Sequence, residues 1–167
     1  MATIYGTRSG ADSYHTERGN AAWGAASTGD RDAALILAAE WIDDKFGTSF
    51  PGEKTDKRDQ EREWPRENAA DIFGDTISST AVPSELERAA YEVALRHIEK
   101  PGSLFVDWTP GKEKLSVAVS GAVSVTYAGA FNMHDAQLQI GKIGGILRPI
   151  LSASAETWSL SGRSGRV

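Results

Sequence analysis

Between Ser27 and Gly47 the chain carries Ala33-Ala34-Leu35-Ile36-Leu37-Ala38-Ala39, followed by Trp41, Ile42 and Phe46. Wound into a helix, these residues cover almost the whole middle circumference with apolar surface, and a helix like that is buried on most sides. Its ends are marked as well. Ser27 with Asp30 fits a capping box, Asp30 and Asp32 place negative charge in the first turn, Lys45 sits in the last, and Gly47 fits the C′ position. Only Glu40, Asp43 and Asp44 are expected to need water. The other helices should therefore pack around this one, which predicts a mainly α protein, a small helical bundle around a central buried helix.

The flanking segments read in the same terms. Ser9 can cap a short helix over about 10–18, with Ala11, Tyr14 and His15 facing inward and Gly19-Asn20 ending it. A link through Ala22 and Trp23 leads to the central helix. After Pro83, Ser84 and Glu87 offer a second capping box, and Leu86, Ala89, Ala90, Val93, Ala94 and His97 share one helical face until Lys100-Pro101-Gly102. Between these two long helices, residues 47–80 are polar and punctuated by Gly and Pro, with Phe50, Trp64, Ile72, Phe73 and Ile77 as isolated anchors. A loop that long usually has a function or a partner, and the spacing predicts an ordered loop pinned at points.

Leu115, Val117 and Val119, then Val123, Val125 and Tyr127, alternate with small residues about Ser120-Gly121-Ala122. That is the period of one β-hairpin over about 113–127, and an odd loop keeps both apolar sets on one face. Asp135 can cap a last helix presenting Ala136, Ile140, Ile143 and Leu147, weakened by Gly141, Gly144 and Gly145 and ended by Pro149. One domain over 1–151 and an extended, Ser/Gly-rich C-terminal arm over 152–167 complete the expected organisation.

Composition removes several function classes. The chain has no Cys, so disulfides, thiolate zinc sites, iron–sulfur clusters and cysteine nucleophiles are excluded together. No apolar run approaches a membrane span, and the N-terminus lacks the pattern of a secretory signal, so synthesis in a cytoplasm without a membrane partner is the expectation. The net charge of −5 is uneven: residues 1–99 hold 11 Lys+Arg against 19 Asp+Glu, or −8, and residues 100–167 hold 7 against 4, or +3. An acidic body is a poor match to nucleic acid, which needs clustered cations to displace counterions. It suits head-to-tail contact between copies.

The residues offer no catalytic constellation and call for no cofactor or metal. His15, His97 and His134 lie far apart, outside any paired-ligand spacing. Pro110-Gly111-Lys112 lacks the first glycine of a phosphate loop, and Gly162-Arg163-Ser164-Gly165 lacks the spacing of a nucleophile elbow. Asp43-Asp44 and Glu61/Glu63 are read as solvated faces. Trp23 and Trp41 sit among alanines and read as core. Trp64, ahead of Pro65-Arg66, is either the anchor of the long loop or part of a subunit contact, since Trp and Arg are favoured interface anchors. In the arm, Trp158, Arg163 and Arg166 are the only side chains suited to strong attachment. Trp64, Arg66, Trp158, Arg163 and Arg166 are the candidate assembly residues.

Several of these features recur together in one family. Ala11-Asp12-Ser13-Tyr14, Arg18-Gly19-Asn20-Ala21-Ala22-Trp23, Ala33-Ala34-Leu35-Ile36, Gln60 ahead of Trp64-Pro65-Arg66, Val82-Pro83, and the Val-rich hairpin ending in Tyr127 resemble, over about residues 4–151, the head-tail connector (adaptor) proteins of tailed bacteriophages. Related sequences are often labelled DnaT-like single-stranded DNA-binding proteins. The resemblance implies a structural, non-enzymatic virion protein. It would form a homo-oligomeric ring, a dodecamer, in the neck between the capsid portal and a downstream head-completion, stopper or tail protein, with genomic double-stranded DNA as passing cargo. The alternative is a single-stranded DNA binder using Trp64 and the Lys and Arg residues from Lys54 to Arg66. Residues 53–71 hold five basic but seven acidic side chains, which counts against it.

Overall fold

In the computed structural model, residues 4–105, 116–117, 125–126 and 141–152 are described. Two compact units divide the chain, one made of residues 1–101 with 140–167 and the other of residues 102–139.

The first unit is built on α3 (Thr28–Phe46) and α4 (Ser84–Glu99). Ala34, Leu35, Ala38, Ala39 and Ile42 of α3, and Leu86, Ala89, Ala90, Val93 and Ala94 of α4, are almost completely buried. So many alanines on both packed faces let the helix axes approach closely, and the interleaved Leu, Ile and Val supply the apolar area. α3 starts as its capping box predicts: the Ser27 hydroxyl accepts the Asp30 amide at 3.1 Å. Its burial is less complete than the sequence suggests. Ala33, Ile36, Glu40 and Asp44 form an exposed outer stripe, because the packed helices cover one side of α3 and the loop after Phe46 reaches only its C-terminal half. Asp43, expected in water, is half-buried beneath that loop.

α1 (Arg8–Glu17) begins two residues earlier than Ser9 would allow. Thr7 is the cap, its hydroxyl accepting the Gly10 amide at 2.9 Å. The link to the central helix is itself a short helix, α2 (Ala21–Ala25), which buries Trp23. α4 also departs from its expected start, since Pro83 occupies the cap position and Ser84 is already helical, without a side-chain cap. Gly47 keeps right-handed helical angles and leads into a 3₁₀ turn, Gly47–Ser49, instead of adopting a left-handed C′ conformation.

α5 (Gly141–Leu147) packs on α4 through Ile143 and Leu147, and a 3₁₀ turn, Arg148–Ile150, follows it. A polar clamp helps to hold it. Lys142 Nζ lies 2.6 Å from Glu92 Oε1, which also accepts the Tyr14 hydroxyl at 2.7 Å. Burial raises the affinity of Glu92 for a proton, but these partners outweigh it and hold the carboxyl below its usual range. His15 is buried on Trp23, with ring centroids 4.5 Å apart. Its Nε2 donates to the Tyr91 carbonyl at 3.1 Å, so Nδ1 is left to accept from the Asn20 amide at 2.9 Å. Burial lowers its pKa, in keeping with a neutral structural histidine.

In the second unit, β3 (Ser116–Val117) pairs antiparallel with β4 (Val125–Thr126), Val117 facing Val125. This is the expected hairpin, in a register that puts an odd number of residues between partners. Its turn, the expected start of the last helix at Asp135 and the arm beyond Ser152 lie outside the described residues. So do His134, Trp158, Arg163 and Arg166.

Candidate functional site: a stapled loop with an apolar tip

The segment between α3 and α4 is ordered by its own polar side chains. Two-residue strands β1 (Glu53–Lys54) and β2 (Arg66–Glu67) pair antiparallel within it, a pairing with no alternating run to announce it. Gln60 acts as an internal brace: its amide nitrogen donates to the carbonyls of Arg62 (2.8 Å) and Pro65 (3.0 Å), and its oxygen accepts the Asp56 amide at 3.2 Å. Arg66 is the second brace. Its Nε donates to the Pro51 carbonyl at 2.8 Å, Nη2 to the Gly52 carbonyl at 2.7 Å, and Nη1 to Glu63 Oε2 at 2.8 Å. A planar guanidinium presents several donors at fixed angles, which suits it to this task. Gly52 is required where the strands close: at φ +69°, an added Cβ would sit 2.3 Å from the Glu67 carbonyl oxygen.

Trp64 is 2% exposed and meets Phe50 edge-on, with centroids 5.7 Å apart. The ring is thus packed inside its own protomer. The peptide bond to Pro65 is cis. Arg62 is also buried, with its guanidinium 3.6 Å from Asp43 and 3.7 Å from Glu40. Across the same contact the Tyr5 hydroxyl donates to Asp43 and accepts the Glu63 amide. Nothing in the sequence singled out Tyr5, because a lone aromatic before the first helix carries no periodic signal.

Electrostatics follow from this packing. Lys54 lies 3.4 Å from Glu63, and Arg62 and Arg66 are turned inward onto carboxylates and carbonyls. Among the basic residues from Lys54 to Arg66, only Lys57 and Arg58 are exposed. Elsewhere Arg8 pairs with Asp32, Arg31 with Asp12, and Arg88 with Glu85, while Arg18 lies 3.5 Å over the Tyr14 ring. Among the described residues no group of three or more His, Asp or Glu side chains is placed to hold a metal, and no helix is long and apolar enough to cross a membrane.

Ile72 and Phe73 overturn one expectation. They are not anchors: Ile72 is 44% and Phe73 78% exposed. The turn that carries them is tightly built. Asp71 Oδ1 accepts the amides of Phe73 and Asp75, both at 2.9 Å, the Asp71 amide donates to the Asp75 carbonyl, and Ala70 bridges Thr76. With the backbone satisfied locally by an Asx-type turn, the two apolar side chains point outward. The Ile72 amide donates to the Pro149 carbonyl at 2.9 Å, fixing this turn to the segment after α5.

These features define a small α-helical protein whose candidate site is a rigid, internally braced loop with an apolar tip. The chain belongs to a family described as "Putative DnaT-like ssDNA binding protein", whose sequence profile matches residues 2–166. No curated protein and no solved structure matches it. Of the two readings drawn from the sequence, this description favours the single-stranded DNA binder over the connector.

Proposed function

We propose that the chain is a non-enzymatic assembly protein, the head-tail connector of a tailed bacteriophage. As such it is a ring-forming structural component of the virion neck that contacts the portal above and a tail-side protein below, with double-stranded DNA passing through. The observation that supports this reading best is the use made of the loop's aromatic and basic groups. Stacking of single-stranded bases needs accessible rings beside accessible cations, whereas Trp64, Arg62 and Arg66 are buried in the protomer's own packing. At its tip the loop exposes Ile72 and Phe73 beside Asp71 and Asp75, a surface suited to protein and not to phosphate.

A second reading, single-stranded DNA binding, is favoured by the family description. Within the loop from Lys54 to Arg66 it would have to rest on Lys57 and Arg58. Anisotropy of a labelled oligonucleotide, with light scattering on the same sample, separates the two. A connector is expected to give no salt-sensitive complex at physiological ionic strength, and to form closed oligomers alone or on addition of the portal. A sub-micromolar complex that weakens steeply with salt would establish the second reading in its place.

A further inference from the structure

Residues 141–152 fasten three separate parts of the first unit. At the start of this segment, the largely exposed Lys142 reaches the enclosed carboxylate of Glu92 on α4, Nζ to Oε1 2.6 Å. In the middle, Ile143, Leu147 and Ile150 are buried. At the end, the Pro149 carbonyl accepts the Ile72 amide at 2.9 Å, and the Ser152 amide and hydroxyl both donate to the Ser49 carbonyl at 2.9 Å. One short segment thus ties α4 to the turn at 71–75 and to the 3₁₀ turn after α3. It is also the segment by which the chain returns from the second unit to the first.

The segment is weak in itself. Three of the seven residues of α5 are glycine, and a helix that short and that glycine-rich does not persist alone. Its form depends on docking. Since α5 runs directly into the 3₁₀ turn Arg148–Ile150, Pro149 cannot keep its place once Leu147 and Ile150 have left theirs. The turn at 71–75 is different, because Asp71 Oδ1 accepts the Phe73 and Asp75 amides within it. Of these amides, that of Ile72 alone is given to the segment after α5. Around the tip, Asp71, Asp75 and the exposed Arg148 next to Pro149 carry both signs of charge, so charge does not select a partner there. The contacts do define how the tip is held.

We propose that residues 141–152 are a strap that docks and releases as one cooperative unit, coupling the position of the Ile72–Phe73 tip to the docking of α5 on α4. Such coupling is reciprocal: a partner that binds the tip in its strapped position favours docked α5, and loss of docking weakens that partner by the same factor. The inference depends on neither reading of the preceding section, since it concerns contacts inside one chain.

Native-state hydrogen exchange of the full chain, followed amide by amide by NMR, tests it. In the unsubstituted protein the Ile72 and Ser152 amides are expected to share one protection factor, well below that in the middle of α3, as for a unit that opens before the rest. Lys142→Met and Ile143→Val, two mild changes of different chemistry, should each quicken both amides by one common factor of roughly three to ten. The Ile72 amide bonds to neither substituted residue. Phe73 and Asp75, whose amides are held inside the turn, should keep their rates. An Ile72 rate unmoved by either substitution, unequal factors at Ile72 and Ser152, or Ile72 protection equal to that in the middle of α3 would each overturn the proposal.

Discussion

The Tyr5 hydroxyl donates to the Asp43 carboxylate, joining the segment ahead of α1 to the C-terminal end of α3. Because the same oxygen accepts the Glu63 amide at 3.0 Å, one side chain fastens the loop to two parts of the bundle. Burial, with Asp43 beside it, pushes the phenol well above its usual range, so Tyr5 stays protonated and remains the donor.

Asp43 gives this junction a pH dependence. Burial is the main cause that raises its pKa, against the lowering influence of Tyr5 and Arg62, from 3.8 to about 6. The folded state thus binds more protons than the unfolded state between those values. The associated stability is fully present below about pH 4 and is lost as pH rises through about 6. Asp43→Asn should abolish this component, so the difference in unfolding free energy between wild type and variant should change across that window and be flat above it. Parallel profiles from denaturant titrations at several pH values would show that Asp43 does not titrate there.

Emptying the space of Trp41, which is 4% exposed and 6.1 Å from the Phe46 ring, should destabilise the fold. Trp41→Ala is expected to cost about 3–5 kcal/mol, the usual range for a buried aromatic. An unchanged melting curve would remove α3 from the centre of the fold.

Gly6 sits at φ +82° against Tyr91, where an added Cβ would lie 2.2 Å from the hydroxyl oxygen. That hydroxyl accepts the Thr7 amide at 3.1 Å, so it is not free to swing aside without loss. Gly6→Ala should cost at least about 2 kcal/mol from the backbone conformation and the clash together. Tyr91→Phe in the same background should recover only part, because the ring carbon behind the oxygen would still be 2.7 Å away. Thermal melts of the single and double variants check both statements.

Arg66→Lys keeps the charge but cannot serve the Pro51 and Gly52 carbonyls and Glu63 together, and the buried acceptors left behind make the loss about 3 kcal/mol. The effect should be local. Hydrogen exchange should quicken for amides of the loop at 50–67, while the amides in the middle of α3 and α4 keep most of their protection. Equal acceleration in loop and helices would mean that the loop does not open as a separate unit.

The sequence by itself determined that α1, α3 and α4 exist and roughly where they run, since hydrophobic period, Ser27 and the Gly and Pro breakers act within a few residues of one another, but it gave no sign of the short α2. It also determined the register class of the hairpin, because alternation on both strands permits one parity. Tertiary structure alone decided the character of the loop. Whether Arg66 faces water or the Pro51 and Gly52 carbonyls depends on chain fifteen residues away, and whether Asp43 is solvated depends on Tyr5, thirty-eight residues before it. Nor does local sequence distinguish an anchoring Phe50 from a projecting Phe73. Both are single aromatics in polar surroundings, and the difference is that Trp64 packs on one while the turn made by Asp71 satisfies its own backbone and turns the other outward. Burial in a loop is set by which distant surface closes over it, and no short window of sequence contains that surface.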